Sequence, residues 1–244
     1  MRQVTSRRSS RAALLAVLLL TGCAQSIAGS ATKSDAALGI LPTESEISAA
    51  VDSPLSTFGF QPFEGGVEIL PDGYRTDSDA SPIACVAVTD TAPRIVYEPL
   101  PVLEAARLSF FNWDPGVATS GADAAAVRMS TGDGARAAFD EFAGRWQQCD
   151  GSTVVKHLPG VTGADVDARV QDVQLAGPVM SATVRTSERS GGGTARYERS
   201  IGVRGDTIVE VSLAISSDGS AGVSARDMAE RAVEAMLEKV AEPN

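Results

Sequence analysis

The first 22 residues constrain everything that follows, because they read as an address that is removed before the chain folds. Arg2, Arg7, Arg8 and Arg11 make a basic stretch without an acid, an apolar run extends from Ala12 to Leu20, and small residues close the segment. A bilayer-spanning helix needs about 20 apolar residues, whereas the core of a cleavable export signal needs roughly 7 to 15. The run falls in the second class, so residues 1–22 are expected to be a signal peptide. Ser6-Arg7-Arg8 hints at twin-arginine export, but the hydrophobic residues that should follow the pair are missing, which favours general secretion.

Leu20-Thr21-Gly22-Cys23 resembles the bacterial lipobox, in which small residues admit the peptidase and the cysteine sulfur receives a diacylglyceryl group. Cys23 is therefore the expected lipidation site and the expected new N-terminus. One acyl chain binds a membrane only marginally, and the additional chains of a lipoprotein make anchoring stable. The expected location is the extracytoplasmic face of the cell membrane, held by lipid. Residues 23–43, rich in Ala, Ser, Gly and Thr, read as a flexible tether, and residues 44–244 as one folded domain.

Loss of four arginines moves the formal charge from −10 to −14 in the mature part. Binding a polyanion requires clustered Lys and Arg, and the lysines are only Lys33, Lys156 and Lys239, so nucleic acid is not an expected partner. With Cys23 acylated, Cys85 and Cys149 are the remaining thiols, and export places them in an oxidising compartment. They are expected to form a disulfide closing a loop of 64 residues.

Along the chain, Thr43-Glu44-Ser45-Glu46 has the pattern of a capping box before a short helix to about Val51. From Ser53 to Ser81, Pro54, Pro62 and Pro71 with repeated Gly and Asp predict little regular structure. Strands are expected at Arg94 to Tyr97, Ala106 to Asn112 and Ala125 to Ser130. Gly132-Asp133-Gly134 then opens an amphipathic helix with Phe139, Phe142 and Trp146 on one face, ending near Cys149. Five alternating or Val-rich segments follow, Val154 to Leu158, Ala168 to Leu175, Val179 to Arg185, Arg196 to Val203 and Thr207 to Ile215. With hairpin loops at 190–194 and 204–206, they predict an antiparallel meander. A helix from about Ala221 to Val240 should lie across the sheet. The fold class is α+β, a twisted antiparallel sheet with a few packed helices.

This layout resembles the extracytoplasmic domain of mycobacterial serine/threonine kinase H and related mycobacterial lipoproteins. The carriers are the short helix after Leu41-Pro42, Cys85 followed by Val96-Tyr97, the helix end Phe139-x-x-Phe142-x-x-x-Trp146-x-x-Cys149-x-Gly151, and Tyr197-Glu198-Arg199 before Thr207 to Ala214. The resemblance implies a sensor-type domain with a deep cleft for a ligand. It also implies a second disulfide between the last two strands, at positions that here hold Tyr197 and Ala214, so this chain lacks that bond.

Catalytic chemistry finds little footing. His157 is the single histidine, and no Gly-x-Ser-x-Gly elbow presents a nucleophile. Asp77 and Asp79 lack the spacing of a calcium loop, so neither metal nor cofactor is expected. Gly132-x-Gly134-x-x-Ala137 imitates a dinucleotide fingerprint, but Asp133 would repel a pyrophosphate, and helix capping explains the motif. Phe110 and Phe111 cannot both face the core of one strand, so one of them is free to line a cleft. Phe111, Trp113 and Tyr97 are the candidate ligand-binding residues. The expected function is a non-enzymatic, lipid-anchored sensor or binding lipoprotein for a small molecule, lipid or wall fragment. The alternatives are an envelope carbohydrate hydrolase with paired carboxylates, or a scaffold that binds another envelope protein.

Overall fold

The computed structural model describes residues 36–157, 165–216 and 224–241. The signal segment, Cys23 and most of the tether lie outside the described residues. Folded structure begins before residue 44, however. Helix α1 (Ala37–Ile40) buries Ala37 and Ile40, and Leu41 follows them inward. These three residues are spaced i, i+3 and i+4, a helical stripe concealed by the small-residue composition around it.

Helix α2 (Glu44–Val51) carries the capping box: the Glu46 amide donates to Thr43 Oγ1 at 3.2 Å, and the Thr43 amide donates to the Glu46 carboxylate at 2.7 Å. The buried Lys239 ammonium, near the other end of the chain, donates to Glu46 at 3.0 Å and to the Leu41 carbonyl at 2.6 Å. Burial would raise the Glu46 pKa, but the Thr43 amide and Lys239 outweigh it and hold the carboxyl below its ordinary value.

Among the described residues nine strands form one sheet, antiparallel at every pairing: β1 (Phe63–Gly65), β2 (Ala80–Ser81), β3 (Val102–Phe111), β4 (Thr119–Met129), β5 (Thr153–His157), β6 (Asp165–Ala176), β7 (Val179–Glu188), β8 (Thr194–Arg204) and β9 (Thr207–Ile215). Their order is β1-β3-β4-β9-β8-β7-β6-β5-β2. The meander expected from the second half of the chain is present as β5 to β9. The segment from Ser53 to Ser81, expected to hold little regular structure, supplies both edges of the sheet. Very short edge strands offer little template for pairing with another chain.

Tyr97 corrects a second expectation. Arg94–Tyr97 is a turn of helix, α4, and not a strand; Pro93 precedes it with φ at −66°, a value proline presets for a helix start. Helix α3 (Val86–Thr89) stands just before it, and α5 (Gly132–Cys149) and α6 (Ala225–Lys239) are the two long helices among the described residues. Thr131 caps α5 by accepting the Gly134 amide, as the capping reading of that glycine motif requires.

Helices cover both faces of the sheet. On one face α3, α4 and α5 bury Val86, Tyr97, Phe139, Phe142 and Trp146 in a core with Val127, Val170 and Ile201. Cys85 and Cys149 are bonded there, with Cα atoms 5.7 Å apart, joining the start of α3 to the end of α5. On the other face α1, α2 and α6 bury Ile40, Ile47, Met228, Ala232 and Met236 against Phe110, Val209 and Leu213. Two covered faces explain why β9 is buried without a break from Thr207 to Leu213. Gly202 of β8 lets α6 approach: a Cβ there would lie 2.7 Å from Val233 and 2.9 Å from Leu237.

Candidate functional site

Register determines what the disulfide face of the sheet exposes. Phe111 is opposite Gly121, Gly121 opposite Ala214, Ala214 opposite Tyr197, and Tyr197 opposite Val184. The next row holds Ser109, Asp123, Ser212, Arg199 and Ala182. Side chains at every second position share a face, so both rows point to the same side. Val184, Ala182 and Arg199 are buried, and over the rest of these rows two hollows of about 500 Å³ and 300 Å³ open, sharing Asp123, Tyr197 and Ser212 in their lining. Together they make a groove with a polar floor, whose Asp123 accepts from the neighbouring Ser109 hydroxyl.

One wall comes from the segments carrying Tyr74 and 89–91. Lys156 of β5 reaches across to Asp90 at 2.7 Å and stands 5.2 Å from the centre of the Tyr74 ring. Burial, then the nearby charge of Asp90, pushes the Tyr74 phenol up to about 12. Tyr197 is raised as well, by burial first and then by Asp123 and Asp90. Both phenols therefore stay protonated as hydrogen-bond donors across the neutral range.

The other wall is aromatic. Phe58 stacks on Trp113 with centroids 4.2 Å apart, Trp113 lies 5.9 Å from Phe111, and Phe60 meets Phe111 edge-on at 6.0 Å. Phe58, Phe60 and Trp113 are more than half exposed, at 53%, 60% and 68%. Phe58 holds φ at +50°, a left-handed conformation that bulky residues rarely adopt. Its loop is pinned: Ser56 pairs with Phe111 through both backbone hydrogen bonds. One Glu44 oxygen accepts from the Ser56 hydroxyl, the Thr57 amide and the Thr57 hydroxyl. Those donors, the Thr57 amide foremost, hold the Glu44 carboxyl below its usual value.

Of the candidate ligand residues, Phe111 and Trp113 meet at the groove and Phe110 is fully buried on the opposite face, as strand alternation requires. Tyr97 does not belong with them. It is fully buried under Phe142, with ring centroids 5.3 Å apart, and its hydroxyl donates to Glu210. Phe58 and Phe60 escaped the sequence reading because they sit in the irregular segment, where no period marks a shared face. His157 lies on the far side of β5 from Lys156, its Nδ1 2.8 Å from Asp165, away from the groove. No cluster of three or more His, Cys, Asp or Glu suited to a metal occurs among the described residues.

A family model described as the PknH-like extracellular domain matches residues 32–239. The chain belongs to that family. Among solved structures it resembles the extracellular domain of PknH from Mycobacterium tuberculosis, with a TM-score of 0.64 over 82% of this chain and 94% of that one. Identity is 18%, so this likeness speaks to the fold. Curated proteins yield no match. Family membership makes this an extracellular-type domain, and its mixed architecture is the one expected. The positions at which the resemblance implies a second disulfide, Tyr197 and Ala214, are direct cross-strand partners in the groove floor. Where a bond would lie, this chain presents a phenol and a methyl group to the groove.

Proposed function

We propose that this protein is a lipid-anchored, extracytoplasmic sensor module that binds a ligand in the groove between the aromatic wall and the Tyr74–Asp90 wall, without catalysing a reaction on it. The observation that carries this reading is the exposed stack of Phe58 on Trp113 beside a floor of Asp123, Tyr197 and Ser212. Exposed aromatic clusters of this kind cost solvation unless a partner covers them. A flat apolar face laid on Trp113, with hydroxyls reaching Asp123 and Tyr197, describes a sugar ring or the head region of a glycolipid, both within the class of wall fragments. Asp90 is committed to Lys156, which leaves the floor poorly supplied with paired free carboxylates for hydrolysis.

The test is native mass spectrometry of the exported protein after incubation with an envelope extract. A reproducible added mass is expected, and Trp113→Ala should reduce its occupancy at least tenfold without moving the urea midpoint. A clean mass, or one retained equally by Trp113→Ala, would refute the groove. The anchor is tested separately: Cys23→Ala should release the protein from the membrane fraction, and continued lipid modification would contradict the lipobox reading.

A further inference from the structure

A third hollow, of about 630 Å³, lies over the sheet face opposite the groove and meets the groove's larger hollow at the end of the β7–β8 hairpin, where both are lined by Thr186, Thr194 and Ala195. Its floor is a single cross-strand row. Thr153 is opposite Arg169, Arg169 opposite Arg185, Arg185 opposite Arg196, and Arg196 opposite Ile215, on β5, β6, β7, β8 and β9 in turn. All five line the hollow. Alternation separates this row from the groove, because the neighbouring positions Val184 and Tyr197 face the other side.

Three guanidinium groups on adjacent strands, about 5 Å apart at the backbone, repel one another, and like charges directly opposite are destabilising. The surrounding acids neutralise Arg196 and leave the other two uncompensated. Glu198, buried one row away, accepts from Arg196 through Nε at 2.6 Å and through Nη2, and from the Thr183 hydroxyl. Asp167 accepts Arg189 at 2.7 Å, and Asp165 is engaged by His157 and Arg189. Among the described residues Arg169 and Arg185 have neither an ion pair nor a hydrogen-bonded acceptor, and both are exposed to the hollow. Two uncompensated guanidinium groups side by side are out of character for a chain with a formal charge of −10.

The next row holds Asp167, whose charge Arg189 takes up, and the hydroxyls of Ser187 and Thr194 at the same opening. Helix α6 leaves the place free, since its contacts with this face fall at Ser181, where the hydroxyl donates to Glu230, and at Gly202 beside Val233 and Leu237. Glu198 fixes the Arg196 plane from beneath, so one guanidinium is oriented in advance while two others stand uncommitted beside it. Planar forks arranged around a shared opening match a tetrahedral oxyanion, which can accept bidentate hydrogen bonds from each.

We infer that the Arg169–Arg185–Arg196 row is a second, anion-binding site that takes a phosphate group, with Ser187 and Thr194 as hydroxyl donors at its rim. A phosphate group reaches an extracytoplasmic domain either on a free small molecule or on a lipid headgroup, and the same forks fit both.

The experiment uses the full chain, purified from membranes in a non-ionic detergent, titrated calorimetrically with inorganic phosphate and, in parallel, with a soluble short-chain phosphatidylglycerol. Saturable binding of either is expected, and the tighter of the two identifies the source. Arg169→Gln with Arg185→Gln should weaken it at least tenfold, consistent with loss of charge-assisted hydrogen bonds. Arg136→Gln, on the exposed side of α5, should leave it unchanged. Arg185→Lys keeps the charge and loses the fork, so it should bind more weakly than the parent and more tightly than Arg185→Gln. Relief of the repulsion should also raise the Tm of ligand-free Arg185→Gln by about 1–3 °C. Absence of binding to both probes up to about 10 mM, or binding indifferent to the glutamine substitutions, would overturn the site. Neither result bears on the aromatic groove, which is read by Trp113→Ala.

Discussion

Tyr97 in α4 and Glu210 in β9 are hydrogen-bonded in the core, although 113 residues separate them. Glu210 also accepts the Ala92 amide at 2.9 Å and Arg199 Nη2 at 2.7 Å. Arg199, itself buried, spends its other donors on the Val88 and Asp90 carbonyls and the Thr91 hydroxyl. A buried ion pair thus holds the 88–92 segment, including Ala92 at a φ of +44°, against the sheet, and that segment forms one wall of the groove.

Breaking this pair from one side leaves a buried charge without a counter-ion. Glu210→Gln should therefore lower stability by about 3–5 kcal/mol in urea unfolding. Tyr97→Phe removes one hydrogen bond to a charged group and should lower it by about 1.5–3 kcal/mol. Equal losses from the two substitutions would mean that Arg199 finds another partner.

The Cys85–Cys149 bond closes a loop of 64 residues. On the chain-entropy account, that closure stabilises the fold by about 4 kcal/mol. Cys85→Ser with Cys149→Ser should lower the urea-derived stability by roughly that amount. Hydrogen exchange should rise first at the amides of 85–91, because Cys85 immediately precedes α3, which runs straight into the groove wall. Unchanged exchange there would place the bond's contribution elsewhere.

All three tyrosines, Tyr74, Tyr97 and Tyr197, have phenols raised above the ordinary value of about 10. For Tyr97 burial dominates, followed by the charge of Glu210 and its hydrogen bond, with Arg199 pulling the other way. A folded-state pKa above the unfolded one means that the fold holds the proton more tightly. The resulting stability is intact below about pH 10 and is lost as pH rises from there through the folded values. An ultraviolet titration of the native protein should show no phenolate step at pH 10, with Tyr74 ionising near 12 and Tyr97 only on unfolding. A normal step at pH 10 would show that at least one of these phenols is solvated.

Much of the framework was legible in the sequence, because it depends on local period and chemistry. The spacing of Phe139, Phe142 and Trp146 is a helical stripe, Thr43 and Glu46 cap within one turn, and strands β5 to β9 announce themselves by alternation between Gly-rich turns. The pairing of Cys85 with Cys149 was expected from reading Cys23 as acylated and the other two thiols as exported, and the two are bonded.

Other features arise only when distant segments meet. Val96 and Tyr97 have strand propensity, yet Pro93 and burial against Phe142 and Glu210 make that turn helical and take Tyr97 away from any ligand. Strands β1 and β2 are too short to show a period, and only their partners β3 and β5 make them strands. Phe58 joins Trp113 because Ser56 pairs with Phe111. Arg169, Arg185 and Arg196 look like ordinary exposed strand residues until register sets them side by side. The sequence determined which segments become helices and long strands, since that information is local. Tertiary structure decided which side chains share a groove or a row, since register and packing between distant strands set those distances.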